Sequence, residues 1–442
     1  MDTPICDFAG RYAESNSLRL HMPGHKGIGP LGAEQLDITE ISGADSLYDA
    51  TGIIAKSEAN ASALFGCPTF YSTEGSSLCI RAMLYLCLLQ AKKEGRKPLI
   101  AAGRNAHKVL LSAVSLLDID VTWLLPEDEG GYLSCKITPE GLDRTLSAIE
   151  EKPVAVYVTS PDYLGNVADI AGLAAVAHRH GCLLAVDNAH GAYLRFLHPS
   201  AHPMDLGADL CCDSAHKTLP VLTGGAYLHT TASLSANAKH GLALFGSTSP
   251  SYLILQSLDL ANKTLSGDYA DRLTQIVHVA ASCKEELSAS GYRFVGDEPA
   301  KLTIDAKAYG YHGTELAQLL RQSGIECEFA DPDYLVLMIT PETGADGLKR
   351  LTQALLAIPK RTPITEQAPA FCMPKRTLSI REAMLSPFET IPAEFSNGRI
   401  LAAASVGCPP AVPVLVSGEQ IDDQIIRLFR YYSIETCCVV TE

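Results

Sequence analysis

The sequence predicts an α/β fold, with one large domain built on a mostly parallel sheet covered by helices and a smaller α+β portion toward the C-terminus. Three observations carry this. From residue 69 to 187, short apolar runs alternate with longer segments of helical periodicity. The runs at 154–160 and 183–186 are continuously apolar, as strands are when a parallel sheet buries both their faces. Past residue 290 the order changes: strands near 292–295, 302–305 and 335–340 interleave with helices starting at Thr314 and Asp346.

Taken in order, a short amphipathic segment leads into His21-Met22-Pro23-Gly24-His25-Lys26-Gly27. One proline and two glycines there make a stiff loop, and an ordinary turn competes with a functional one. A helix is expected over 53–65, stopped by Gly66 with Pro68 beyond. A strand at 69–71 then meets Ser72-Thr73-Glu74-Gly75-Ser76-Ser77 and a helix with Leu78, Ala82, Tyr85, Leu86 and Leu89 on one side. Strand, glycine-hydroxyl turn and helix make an anion site, because first-turn amides and the Ser76 and Ser77 hydroxyls can surround a phosphate. Serines are also the commonest helix caps, so a plain cap competes with that reading. No Walker G-K-[ST] is present.

The alternation continues with strands at 99–102, 121–125 and 154–160 and helices over 104–117, 138–149 and 170–180. Ser160-Pro161-Asp162-Tyr163-Leu164-Gly165 follows the third strand, and the strand at 183–186 runs into Asp187-Asn188-Ala189-His190-Gly191. A hydroxyl-rich loop at 245–252 precedes a long helical region reaching about 288, and 363–374 reads as a connector. The tail offers Arg381-Glu382-Ala383, a strand at 400–405, the loop Gly407-Cys408-Pro409-Pro410 and a final helix from about Gln420. The domain division expected from this is 1–30 (N-terminal segment and active-site loop), 31–289 (large domain), 290–362 (small α+β domain) and 363–442 (a region completing it).

A chain of 442 residues exceeds one ordinary core. Its 47% hydrophobic and 19% charged residues describe a globular protein, and a net charge of −15 argues against nucleic acid or an anionic membrane as partner. No apolar run reaches membrane-spanning length. The 14 cysteines are scattered, with no C-x-x-C and no Cys/His cluster at zinc spacing, so reduced thiols, no metal and a cytoplasmic setting are expected.

Ser214-Ala215-His216-Lys217 lies between the apolar run 208–212 and Gly224-Gly225, which places Lys217 on rigid backbone at a strand end. A lysine there can be a nucleophile, and Asp187 ends a second buried strand. Together they are what a pyridoxal phosphate enzyme needs: an amine for a Schiff base with the aldehyde, and a carboxylate that keeps the pyridine nitrogen protonated. A surface lysine and a capping aspartate are the plain alternatives. Ser76, His107, Ser160, Asp187 and Lys217 all fall at carboxyl ends of predicted strands, where open α/β sheets bind ligands. His107 can stack on a ring, and His216 can bind phosphate or shuttle protons. His178, His180, His198, His202, His229, His240, His278 and His312 read as caps or surface residues.

The motif at 21–27, Ser214-Ala215-His216-Lys217, Arg381-Glu382-Ala383, and Gly407-Cys408-Pro409-Pro410 to Pro413 with Ser417-Gly418-Glu419 give the sequence a family likeness. It resembles the bacterial ornithine/lysine/arginine decarboxylases, pyridoxal phosphate enzymes of the aspartate aminotransferase-like fold. The likeness spans about residues 8 to 432 and is to the short form, without an N-terminal receiver-like wing domain. It implies that Lys217 is the Schiff-base lysine, that Asp187 partners the pyridine nitrogen, and that Ser76, Ser77, Ser214 and His216 hold the phosphate. His107 then stacks on the ring, Ala189 packs on its other face, and His190 lies beside the cofactor. His216 or Lys217 would return the proton once carbon dioxide has left. The long forms favour tryptophan where this chain has His190, and related short forms often have glutamate where it has Asn188.

The implied reaction is decarboxylation of a basic L-amino acid, with arginine to agmatine first, then lysine to cadaverine or ornithine to putrescine. The assembly implied is a homodimer or dimer-based oligomer with shared sites, in which Ser247 to Ser249 reach the neighbour's phosphate. Two alternatives stay open. One is another enzyme of the same fold, such as an aminotransferase, with Arg381 or Arg399 gripping the substrate carboxylate. The other is a cofactor-binding regulator without turnover.

Overall fold

The computed structural model describes residues 1–126, 132–370, 373–403 and 410–441. By contact density the chain divides into two compact units, Met1–Gln90 with Leu183–Leu273 and Ala91–Cys182 with Thr274–Glu442. In chain order the elements begin α1 (Pro4–Glu14), α2 (Ile53–Phe65), β1 (Thr69–Ser72), α3 (Gly75–Lys93), β2 (Leu99–Gly103), α4 (Lys108–Leu117) and β3 (Asp120–Leu124). Next come α5 (Pro139–Ala148), β4 (Ala155–Thr159), α6 (Ile170–Arg179), β5 (Leu183–Asp187), β6 (Leu210–Asp213), α7 (Ala215–Thr218) and β7 (Ala226–Thr230). Three helices follow, α8 (Ala238–Phe245), α9 (Tyr252–Leu265) and α10 (Tyr269–Ala289). The remainder is β8 (Phe294–Val295), β9 (Lys301–Asp305), α11 (Ala306–Tyr309), α12 (Gly313–Gln322), β10 (Phe329–Ala330), β11 (Tyr334–Met338) and α13 (Gly344–Leu356). It closes with α14 (Ile380–Leu385), β12 (Phe388–Pro392), β13 (Leu401–Ala403), α15 (Asp423–Tyr431) and β14 (Thr436–Val440).

In the first unit the strands lie in the order β1-β7-β6-β5. β5 and β6 are parallel, while β7 is antiparallel to both β6 and β1. Two reversals restore direction, so β1, β5 and β6 all point the same way and their carboxyl ends share one edge. The strands are buried apart from Phe70 of β1 and Leu183 of β5, which are half-buried, in keeping with their largely apolar sequence. In the second unit β2 runs parallel to β3 and β4. That unit also holds an antiparallel sheet β10-β11-β9-β8 and a three-stranded antiparallel sheet β12-β14-β13. Parallel pairing between strands linked by helices is the mixed α/β fold expected, and Thr138 and Asp169 cap α5 and α6 through their side-chain oxygens.

Several elements differ from expectation. The helix expected from Arg104 starts at Lys108, because His107 is its cap. The long helical region is two helices, α9 and α10, interrupted at Ser266 and Gly267, whose amides close on Asn262 and Thr264. The helix taken as final is followed by β14, which pairs with β12 almost fifty residues earlier. Ala404 and Ser405 of the expected strand, and Gly407, Cys408 and Pro409 of the tail loop, lie outside the described residues. Among the described residues no helix is long and apolar enough to cross a membrane.

Candidate active site

The shared carboxyl edge of β1, β5 and β6 gathers most of the residues singled out from sequence, all within the first unit. Lys217 lies on α7, the single helical turn that leaves the end of β6 after Ser214. Its Nζ is 3.0 Å from His190 Nε2, so the amine and the loop after β5 meet. His190 is buried, and it stands three residues beyond Asp187, the last residue of β5. The Asp187 carboxylate is 2% exposed and accepts from the Ala189 amide at 3.2 Å and from Cys212 Sγ at 3.6 Å. Burial pushes the Cys212 thiol well up, so it stays a neutral donor to that carboxylate.

At the start of α3, Ser214 Oγ donates to Ser76 Oγ at 2.8 Å, bringing the hydroxyls after β6 and β1 together. Gly75, at φ +70°, makes the turn into the helix and donates its amide to Gly224 at 2.7 Å. His216 is oriented by Nδ1 against the Gly225 carbonyl at 2.9 Å. The first-turn amides of the 19-residue α3 have no intrahelical acceptor, which suits an anion at this place.

The other residues singled out have these partners. His107 belongs to the second unit, where its Nδ1 accepts from Val109 and caps α4, the plain role weighed for a histidine. Ser160, also there, accepts from the Ala168 amide at 3.0 Å. Arg381 gives its guanidinium to the Ser115 and Leu116 carbonyls, and Arg399 to Glu389 at 2.7 Å and to the Val440 carbonyl at 3.0 Å. The loop Ser247 to Ser249 is exposed, and the Ser247 amide donates to Glu74 at 2.7 Å. In the N-terminal motif His25 bridges Asp37 and the Gly27 amide, while His21 meets the Tyr12 hydroxyl at 2.6 Å.

Sequence reasoning missed a buried group directly behind the site. Asp213, the residue before Ser214, meets His202 and His229, two histidines read as caps or surface residues. His202 does cap a short turn, yet both rings are fully buried. An aspartate closing an apolar strand was the one signal in the sequence, since a charge there requires donors.

Residues 3–299 match the family described as Orn/Lys/Arg decarboxylase, major domain. The chain belongs to the Orn/Lys/Arg decarboxylase family. Arginine decarboxylase of Bacillus subtilis (strain 168) is 30% identical over 96% of this chain and 92% of its own length. Arginine decarboxylase of Halalkalibacterium halodurans is 28% identical over 97% and 93%. The crystal structure of the Francisella novicida lysine decarboxylase superposes with a TM-score of 0.79 at 16% identity, covering 99% of this chain and 81% of that one, which shows a shared fold.

The decarboxylase is thus a carboxy-lyase of the pyridoxal phosphate fold, and pyridoxal phosphate is its cofactor. The donor set fits that group: paired hydroxyls at the start of a helix for a phosphate, an amine for an aldehyde, and a buried carboxylate for a ring nitrogen. Thr218 Oγ1, next to Lys217, is buried and has no partner among the described residues.

Proposed function

We propose that this decarboxylase acts on L-arginine to give agmatine, with lysine to cadaverine and ornithine to putrescine as the next candidates. Support comes from the two relatives named arginine decarboxylase, which align with this chain along nearly its whole length. The observation that carries the chemistry is the Lys217 amine, 3.0 Å from His190 on the edge that also bears Asp187.

In this reading Ser76, Ser77, Ser214 and His216 hold the phosphate, Asp187 faces the ring nitrogen, Ala189 packs on one ring face and His107 stacks on the other. When bound, pyridoxal phosphate supplies an aldehyde for an amine and a ring that takes up the electrons of the breaking bond. Lys217 would supply the amine that anchors the cofactor. Orientation selects which bond breaks, so the chain's residues would have to orient the substrate α-carboxylate and keep it poorly solvated. His216 or Lys217 then returns a proton to the α-carbon. His190, against the Lys217 amine, keeps it aimed.

We further propose a homodimer with shared sites, in which Ser247 to Ser249 reach the neighbour's phosphate, a cytoplasmic setting, and the four-part division 1–30, 31–289, 290–362 and 363–442. An aminotransferase reading needs a free arginine for the substrate carboxylate. Arg381 and Arg399 already give their donors to carbonyls and a carboxylate, which disfavours it.

Carbon dioxide and keto-acid formation measured with arginine, lysine and ornithine test the proposal. The expected result is carbon dioxide without keto acid, fastest with arginine, and loss of both turnover and the visible absorbance of bound cofactor in Lys217→Ala. Keto acid in place of carbon dioxide would point to transamination, and neither product to a regulator.

A further inference from the structure

Asp213 is the last residue of β6 and is completely buried. One carboxylate oxygen lies 3.1 Å from His202 Nε2 and 3.0 Å from His229 Nε2, and the other accepts from Asn188 Nδ2 at 2.6 Å. The Met204 amide donates to His202 Nδ1 at 3.4 Å, so the proton on that ring sits on Nε2 and faces the carboxylate. His229 is fixed from its far side by Thr69 Oγ1 at 2.9 Å, and the Phe65 ring lies 4.6 Å from it and 5.6 Å from His202. Burial alone would push the Asp213 carboxyl up, but the two imidazoles hold it well below the usual carboxylate range. Burial holds His229 low, which makes it a neutral donor. The result is an anion deep in an aromatic box, stabilised by three N–H groups.

An apolar residue would fill that place at less desolvation cost, so the carboxylate calls for another reason. Its position supplies one. Pairing between β5 and β6 ends at Asp187 opposite Cys212, and the last backbone bond is the Asn188 amide to the Cys212 carbonyl at 3.0 Å. The Asn188–Asp213 contact extends the pairing by one residue through side chains. It therefore clamps the two chains between Asp187 on one strand and Ser214 on the other. The amide keeps one orientation, because a flip would set its oxygen against the anion, and that oxygen sits 2.0 Å from where a Cβ on residue 191 would be. Position 191 is glycine, and that oxygen has no partner among the described residues.

We propose that Asp213 is a positioning residue: gripped by His202 and His229, it holds Asn188 and so fixes the loop bearing Asp187, Ala189 and His190 against the loop bearing Ser214, His216 and Lys217. The proposal rests on the assignment of those loops to the cofactor site. His202, Cys211 and Asp213 also place one possible ligand atom each within 4.8 Å of one another, so a bound metal is the rival explanation.

Asp213→Asn keeps the shape but sets an amide nitrogen against N–H donors, and Asn188→Ala removes only the clamp. Both are compared with the wild-type protein by pyridoxal phosphate titration of the apoprotein and by steady-state kinetics. A third readout is acylation of Lys217 in the apoprotein, mapped by peptide mass spectrometry and normalised to exposed Lys56. The expected result for Asp213→Asn is a tenfold or larger rise in cofactor Kd, a displaced absorbance maximum and a fivefold or larger change in relative Lys217 labelling. Its kcat should fall tenfold or more with KM within threefold, and Asn188→Ala should move the same way by less. His202→Gln, which retains an N–H donor, should stand closer to wild type than His202→Leu. A lower melting temperature with wild-type Kd, spectrum and labelling would make the cluster structural only and overturn the proposal. Stoichiometric zinc in the purified protein, lost in Asp213→Asn, would overturn it as well. If Asp213→Asn does not fold, Asn188→Ala decides by the same readouts. The labelling readout needs neither cofactor nor turnover, so absence of carbon dioxide release in the wild-type protein would count against the functional reading alone.

Discussion

His190 touches the amine of Lys217 through a nitrogen 3.0 Å away, and such a contact both aims the amine and limits its motion. Replacing His190 with alanine should lower kcat/KM about 10- to 100-fold, or about 1.4 to 2.7 kcal/mol, by loosening a nucleophile rather than removing it. His190→Gln, which keeps a polar side chain, should fall between the two. Steady-state kinetics beside a melting curve checks this, because a general loss of folding would move both together. The placement of Lys217, Asp187, Ser76 and Ser214 next to strand ends was legible in the sequence, because each follows its own strand or opens its own helix within a few positions. Asp213 was not, because His202 and His229 lie 11 and 16 residues from it in sequence and only the fold brings them to its carboxylate.

At the scale of elements, α1 shows how a helix terminus can be completed from elsewhere. Thr3 stands at its cap without a side-chain capping bond. The acceptor comes from α9: Asp259 Oδ2 takes the amides of Ile5 at 2.9 Å and Cys6 at 3.1 Å, while Ser57 donates to Oδ1 at 2.6 Å. Asp259→Ala should cost about 2 kcal/mol, since it leaves buried amides unpaired. Faster hydrogen exchange at Ile5 and Cys6 in that variant, with Asp259→Asn nearer wild type, is the expected observation. The amphipathic pattern of α1 was legible, whereas its distant cap was not. β12 was missed for a related reason: it is an exposed strand whose only partner among the described residues, β14, comes from near the chain's end.

For the whole molecule, stability against pH carries a signature from the second unit. Burial pushes the Asp331 carboxyl up to about 6, against the Tyr334 and Asp333 amides that favour its anion, while the Asp333 charge adds to the rise. Its folded pKa lies above the unfolded value. The favourable contribution is therefore complete below about pH 4 and disappears as pH rises through about 6. Asp331→Asn, which keeps an acceptor for those amides, should be more stable than wild type by on the order of 2 kcal/mol above pH 6 and gain little below pH 4. Denaturant midpoints at pH 4, 5, 6 and 7 measure this, and a difference independent of pH would refute it.

Taken alone, the sequence determined the α/β class, the alternation of strand and helix from β1 to β5, the family and the cofactor. All of these are written in short-range periodicity, turn residues and motifs a few residues long. The tertiary structure decided what depends on pairing across long intervals. The antiparallel β7 sets β1 and β6 in one direction, so that Ser76 and Lys217 leave the sheet at the same edge. The fold likewise put His190 against Lys217 and enclosed Asp213 between two imidazoles and Asn188. Such contacts follow from strand order and register, which are set by burial of the whole sheet and not by the residues next in line.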